Sequence, residues 1–429
     1  MPTILPFRAL GYAPGLRGKL DLLFAPPYDV LTPAQRDALA ARHPRAIVHL
    51  DLPRAPAGED PYRASATLLG EFIRDGTFVR ESRPAFYVIE QRYRSPSGEK
   101  RVRRGFFARL KLEPLEGGIV IPHERTHHEA RLDRRRLLAA TRTHLSAVFL
   151  LHPDPGGEVA GLMQEKAATG ELFAEARDQE GTVSRVGRLD GGRDAAFLIE
   201  RLSATWALIA DGHHRYESAL AYRDERRASG PADAETVLAC FCSLEDSGLS
   251  IFPIHRLVHS LGGLDAEGFR ARLSELFSIT PVDTEDALRA ALSERRGRPG
   301  AFGMALSGHS GLLLLQWKEG AGLDRMEMAS IPGPLRGLDV ILLHRLVFEG
   351  ILGITPEAQA RQLNLDYVKD AREVFDRVRQ GRAQIGLVLN PTRIEQVVDV
   401  ARSGLRLPQK STYFYPKVPT GLVLDPLDS

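Results

Sequence analysis

Cysteine is nearly absent from this chain: there are two among 429 residues, Cys240 and Cys242, one residue apart in the apolar run Val237 to Phe241. The spacing is too short for ordinary disulfide geometry and two thiols are too few for a structural zinc site, so neither organises the fold. Both read as buried, reduced and inert. An excess of either charge is also missing, since 57 Lys and Arg face 55 Asp and Glu for a net of +2. No global field draws in nucleic acid or an anionic membrane, and any anion site is local. Long apolar runs are missing too. Ala147 to Leu151 and Leu312 to Leu315 fall far below the roughly 20 residues that cross a bilayer. The opening MPTILPFRALGYAP is interrupted by prolines and shows no signal peptide, so a cytoplasmic protein without a membrane partner is expected.

What is present, 43% hydrophobic and 26% charged residues, excludes disorder, collagen and coiled coil. The length exceeds what one hydrophobic core organises, so two or three domains are expected. Residues 1–114 read as a small α/β unit with one helix capped by Thr32 and opened by Pro33, and a hairpin from Ala85 to Ile89 and Arg104 to Leu112 around the turn Ser95 to Gly98. Residues 115–260 hold a short strand, Ile119 to Ile121, closed by Pro122. A basic helix follows from Glu124, then a strand from Ala147 to Leu151. Pro153 to Asp194 reads as a surface excursion. Two strands, Ala195 to Glu200 and Thr205 to Ala210, precede a helix from Tyr216 to Arg227. Residues 261–429 alternate helices (Ala266 to Leu276, Ala287 to Arg295, Leu338 to Phe348, Val368 to Gln380, Arg393 to Ser403) with strands (Leu312 to Trp317, Gln384 to Leu389). The pattern is α+β.

Two boxes carry chemistry. In IADGHHRYESALAY a buried strand runs into Asp211-Gly212-His213-His214-Arg215 and then a helix. Gly212 permits a tight turn, the following amides open a helix whose start carries partial positive charge, and His213, His214 and Arg215 add donors. This reads as an anion cradle suited to phosphate, with Asp211 fixing a histidine tautomer or holding a divalent cation. In IVIPHERTHHEARLDRRR, His123-Glu124-Arg125-Thr126-His127 satisfies the H-E-x-x-H pattern of zinc peptidases, with His128 and Glu129 as further ligands. Pro122 directly before His123 argues against a helix there. The other reading makes Glu124 a carboxylate at the mouth of a strand, able to take a proton from a substrate hydroxyl. Trp206, Tyr216, the pair His255 and His259, and the turn Pro26-Pro27-Tyr28-Asp29 all read as structural.

ADGHHRY, with APPYDV, PHE-R-T and QKSTYFYPKVPTGLV, resembles a widespread prokaryotic family described as a domain of unknown function. Residues 115–429 are also similar, more distantly, to free-serine kinases that use ADP or ATP and belong to the ParB and sulfiredoxin superfamily. The resemblance implies a ParB/sulfiredoxin-like mixed α/β core at residues 115–260, an N-terminal α/β extension and a C-terminal α+β domain that completes the site. It implies Glu124, within Pro122-His123-Glu124, as catalytic base with His123 and Asp211 beside it. Gly212, His213, His214 and Arg215 would hold nucleotide phosphates, with Mg2+ on Asp211. The kinases' Lys-Thr-Thr-Arg-His segment is matched by Lys410-Ser411-Thr412-Tyr413-Phe414. Lys410, Ser411 and Thr412 would therefore bind substrate. The Arg-His pair is not retained, which leaves the acceptor open as a small hydroxyl-bearing metabolite, free serine among the candidates.

Three functions follow. The first is a nucleotide-dependent small-molecule kinase, with ADP or ATP and Mg2+. The second is a ParB-like nucleotide-binding switch without an acceptor. For such a switch the run Arg131 to Arg136 is the only local feature favouring nucleic acid, and the low net charge counts against it. The third is a zinc peptidase through His123, Glu124 and His127.

Overall fold

The computed structural model describes residues 1–96, 98–230 and 233–427. The fold is α+β, as the sequence pattern suggested, and divides into two compact units: Met1–Ser250 together with Phe414–Ser429, and Ile251–Tyr413. The boundary expected at residue 114 therefore falls inside the first unit, because one sheet pairs strands from both sides of it.

That sheet has nine strands: β1 (Ile4–Leu5), β2 (Phe86–Arg94), β3 (Lys100–Lys111), β4 (Val120–Pro122), β5 (Val148–His152), β6 (Glu171–Arg177), β7 (Val183–Leu189), β8 (Ala207–Asp211) and β9 (Thr236–Ser243). Their order is β4-β8-β5-β9-β3-β2-β7-β6, with β1 on β3. Only β4 with β8 and β5 with β9 run parallel. The helices of this unit are α1 (Pro33–Ala40), α2 (Pro61–Arg74), α3 (His128–Thr141), α4 (Glu158–Thr169), α5 (Arg193–Ser203) and α6 (His213–Ala228), besides short turns. Alternate residues of the strands, such as Phe86 and Val88, Phe106 and Ala108, or Val148 and Leu150, share one core with Val159 and Met163 of α4, Leu198 and Leu202 of α5, and Tyr216 and Ala219 of α6. The period of two along the strands aims these side chains at one helical layer. Cys240 and Cys242 are free and buried in β9, and burial pushes the Cys240 thiol up to about 12.

Several local expectations hold. Thr32 caps α1, accepting from the Gln35 amide, and Gln35 reciprocates in a capping box. The hairpin joins β2 to β3, and the Gly98 amide donates to the Ser95 carbonyl at 2.8 Å, Ser97 lying outside the described residues. Others are corrected. Pro153 to Asp194 is not a surface excursion, because β6 and β7 there extend the sheet and α4 packs into its core. Ala195 to Glu200 belongs to helix α5, whose buried Ala195, Leu198 and Leu202 follow helical spacing. The basic helix begins at His128 rather than Glu124.

The second unit has the sheet order β11-β13-β12-β15-β10-β14, formed by β10 (His255–Val258), β11 (Phe277–Val282), β12 (Ala301–Leu306), β13 (Leu312–Trp317), β14 (Leu365–Val368) and β15 (Ile385–Leu389). All its pairings are antiparallel. Helices α7 (Ala266–Leu276), α8 (Glu285–Glu294), α9 (Ala371–Arg379) and α10 (Ile394–Arg402) accompany it. Leu288 and Leu292 of α8 and Val374 and Phe375 of α9 share a core with Leu257, Ala301 and Leu314. Expected helix Leu338 to Phe348 is a short α-turn, Asp339–Leu342, running into a π-helix, Leu343–Glu349. His255 lies in β10, so it forms no helical pair with His259. Among the described residues no helix is long and apolar enough to cross a membrane.

One glycine shows how tightly the first sheet is closed. A Cβ on Gly105 of β3 would stand 2.1 Å from the Phe241 carbonyl oxygen. Backbone cannot yield there as a flexible side chain would, so Gly105→Ala is expected to destabilise the protein by about 2–3 kcal/mol in a urea unfolding titration. Stability within about 0.5 kcal/mol of the parent would contradict this close approach.

Candidate functional site

Strand β8 ends at Asp211, and the chain turns at once into α6 through Gly212, whose φ of 87° is a left-handed conformation that favours glycine. The space above Gly212 is filled: an added Cβ would stand 2.9 Å from the guanidinium of Arg215. Arg215, in the first turn of α6, folds back across the glycine turn to the end of β8, where its NH2 donates to Asp211 Oδ2 at 2.8 Å. Its NH1 donates to the Ala147 carbonyl. The guanidinium thus faces the protein interior.

The second oxygen of Asp211 accepts from Lys417 Nζ at 2.6 Å. Burial alone would raise the Asp211 pKa, but Lys417 and then Arg215 hold the carboxylate well below its usual range. A magnesium ion at Asp211 does not fit this arrangement, since both oxygens already answer cationic side chains.

The two histidines of the box point to the segment after β4. The His123 amide donates to His213 Nε2 at 3.3 Å, and the His127 amide donates to His214 Nε2 at 2.9 Å. Consecutive histidines of one helix therefore hold both ends of residues 123–127, with the half-buried Glu124 between. His123 is fully buried, and its Nδ1 donates to the Ile209 carbonyl at 2.7 Å, which fixes its tautomer. Burial pushes its pKa down to about 4. Burial also lowers that of His214, which the nearby Asp29 carboxylate partly offsets. Thr126 donates to Glu217 at 2.6 Å and Arg131 pairs with the same carboxylate at 2.9 Å, so α3 and α6 are tied beside the site.

Behind the turn, Arg134 of α3 pairs with buried Asp51 at 2.9 Å, and its guanidinium lies 4.1 Å from the centre of the Tyr28 ring. Asp51, Arg134, Ser146, Arg215 and Ser218, with Leu137, help line a cavity of about 40 Å³. That is room for ordered water.

Of the residues expected from sequence, His123, Glu124, Asp211, Gly212, His213, His214 and Arg215 lie together in the first unit. Lys410, Ser411 and Thr412 lie in the second. There the Lys410 carbonyl accepts from Arg256 at 3.0 Å, and the Ser411 hydroxyl donates to the Pro408 carbonyl at 2.6 Å. The zinc-peptidase geometry is not formed. His123 follows a strand and His127 is the residue before α3, so the two do not share a helical face. Among the described residues no group of three His, Cys, Asp or Glu side chains is placed to hold a metal ion.

Sequence reading missed Lys417, although it stands in the C-terminal segment QKSTYFYPKVPTGLV, because Lys410 was the lysine the kinase resemblance selected. It also set aside Pro26-Pro27-Tyr28-Asp29, whose Tyr28 packs on Arg134 and whose Asp29 acts on His214. An unusual PPYD string was the available signal.

The depressed pKa of His123 makes stability depend on pH. The folded state prefers the neutral ring, so this contribution is present above pH 6.5 and is lost as pH falls toward 4. His123→Asn keeps an amide donor for Ile209 without a titrating ring. The wild type is expected to lose up to about 3 kcal/mol relative to this variant between pH 6.5 and 4, measured by chemical unfolding across that range. Parallel pH profiles for the two would contradict a buried neutral His123.

A comparison with curated proteins found no match. Among solved structures, the chain is similar to a conserved hypothetical protein from Pyrococcus furiosus (14% identity, covering 76% of this chain and 96% of that one, TM-score 0.36). It is also similar to a free serine kinase in complex with ADP (12% identity, 74% and 92%, TM-score 0.36). A third likeness is to SbnI with C-terminal truncation from Staphylococcus aureus (13% identity, 74% and 87%, TM-score 0.37). The family model described as "Protein of unknown function (DUF1015)" matches residues 4–341, and the chain belongs to that family.

Proposed function

We propose that this protein is a phosphotransferase that moves a phosphoryl group from ADP or ATP to the hydroxyl of a small metabolite. The observation that carries this reading is the double tie between the histidine box and the strand end. His213 and His214 hold the amides of His123 and His127, and so fix Glu124 beside the glycine turn that opens α6. The backbone that carries Glu124 and the start of α6 are thereby held to each other, and the N-cap of α6 is Gly212, which has no side chain to occupy the first amides.

The chemistry asks little else of the protein. Phosphoryl transfer depends on alignment and on neutralising charge as it spreads over the transferred group. The first amides of α6 bind the phosphates of the nucleotide, and His214, at the more open edge, contacts them from the side. Glu124 takes the proton of the acceptor hydroxyl as its oxygen bonds to phosphorus. The bond from phosphorus to the bridging oxygen breaks, and the nucleotide leaves with one phosphate fewer. Arg215, turned inward, supports the turn by holding Asp211 and does not grip phosphate itself. His123 positions the strand end through Ile209 and His213. A reading without an acceptor, as a nucleotide-binding switch, shares this cradle but leaves Glu124 without a task.

The test combines calorimetry with transfer assays from labelled ADP and ATP to hydroxyl-bearing metabolites, serine first. Wild-type protein is expected to bind nucleotide and label an acceptor. Glu124→Gln is expected to lower turnover by about 10²–10⁴-fold while nucleotide affinity stays within about threefold, because shape is kept and the base is removed. Absence of ADP and ATP binding would overturn the proposal. Binding with no transfer to any acceptor, or tighter binding of CTP, would favour the switch.

A further inference from the structure

Two cations hold Asp211, and they differ in what they can do next. Arg215 is committed to the interior: besides Asp211 it donates to the Ala147 carbonyl, and its side chain is only 7% exposed. Its Nε is buried and, among the described residues, has no hydrogen-bond partner. That N–H lies against the turn at Gly212, where no ligand reaches it, so Arg215 stays with the turn.

Lys417 arrives from 206 residues further along the chain. Its main chain is fixed independently of its ammonium, since the Lys417 carbonyl accepts from Gln91 Nε2 at 3.0 Å and Gln91 accepts from Arg103. The ammonium is a compact charge with three donors on a flexible stem, and its side chain is 12% exposed against 7% for Arg215. An ionised Asp211 directly before the helix start would by itself repel a phosphate there. A lysine on that carboxylate cancels the repulsion and adds a donor that can swing from Asp211 to the ligand.

We infer that Lys417 is a phosphate-binding residue of the nucleotide site, oriented by Asp211 and contributed by the segment that returns the end of the chain to the first unit. This rests on the reading of the Gly212 turn as a phosphate cradle and adds to it the residue that gives the cradle its mobile positive charge.

The experiment compares calorimetric affinities for adenosine and ADP in wild type and in Lys417→Met, with unfolding curves to check that the variant is folded. The ratio of the two affinities isolates what the phosphates contribute. A charge-assisted contact predicts that this ratio falls about tenfold or more in Lys417→Met while adenosine affinity stays within about twofold. A merely structural lysine would lower the unfolding temperature and leave the ratio unchanged, which would overturn the inference. If wild type binds neither compound, the phosphotransferase reading falls first and this one with it. Should Lys417→Met fail to fold, Lys417→Gln keeps a donor for Asp211 without the charge and is held to the same ratio.

Discussion

The buried carboxylate of Asp211 is the constraint around which the site is arranged. A charge taken out of water at the end of a strand costs several kcal/mol unless cations and hydrogen bonds answer it. Here they come from two directions, Arg215 on the helix that the strand leads into and Lys417 on the last stretch of chain. The strand end, the glycine turn and the return of the chain terminus to the first unit are therefore linked through one side chain. Asp425 shows the same logic on a smaller scale, since its fully buried carboxylate accepts from Arg109 of β3 at 2.7 Å and fastens the same segment to the sheet.

From that fixed point the box distributes its residues by helical geometry. Asp211 ends the strand and Arg215 lies in the first turn of the helix, and the left-handed turn at Gly212 brings the two together. Neighbouring positions are turned about 100° from each other, so His213 and His214 cannot face the same atom. They meet amides four residues apart instead. In both pairings the histidine nitrogen accepts, which requires that nitrogen to be unprotonated. The lowered pKa of His214 suits a histidine that acts as a fixed acceptor toward backbone.

Much of this was legible in the residues. The strand, glycine and helix in succession at Ala210 to Tyr216 could be read from apolar run, turn former and periodicity, and both boxes were recognised as the places where chemistry gathers. Direction was not legible. Nothing in a string of letters says that Arg215 turns inward, because that depends on Asp211 being buried and on a carbonyl at Ala147 brought by β5. The long excursion from Pro153 to Asp194 hid two strands because charged residues interrupt both: Glu171, Glu175 and Arg177 are exposed on β6, and Arg185 and Arg188 are half-buried on β7. Helix α5 was mistaken for a strand because a window of six residues is too short to separate the two periods. Lys417 escaped because partners separated by two hundred residues leave no local pattern.

The revision of Arg215 changes how the box is understood. As a phosphate grip, the arginine would be the strongest donor of the five. Turned inward it stabilises the left-handed turn from behind, and Gly212 is then needed twice, for its φ and for the absence of a Cβ where the guanidinium lies. Asp, Gly and Arg form one structural unit that holds the helix start in place, while the two histidines between them reach outward to the strand end carrying Glu124. The glycine follows the strand, Asp and Arg pair across it, and the two positions between are the ones that meet the amides of residues 123 and 127.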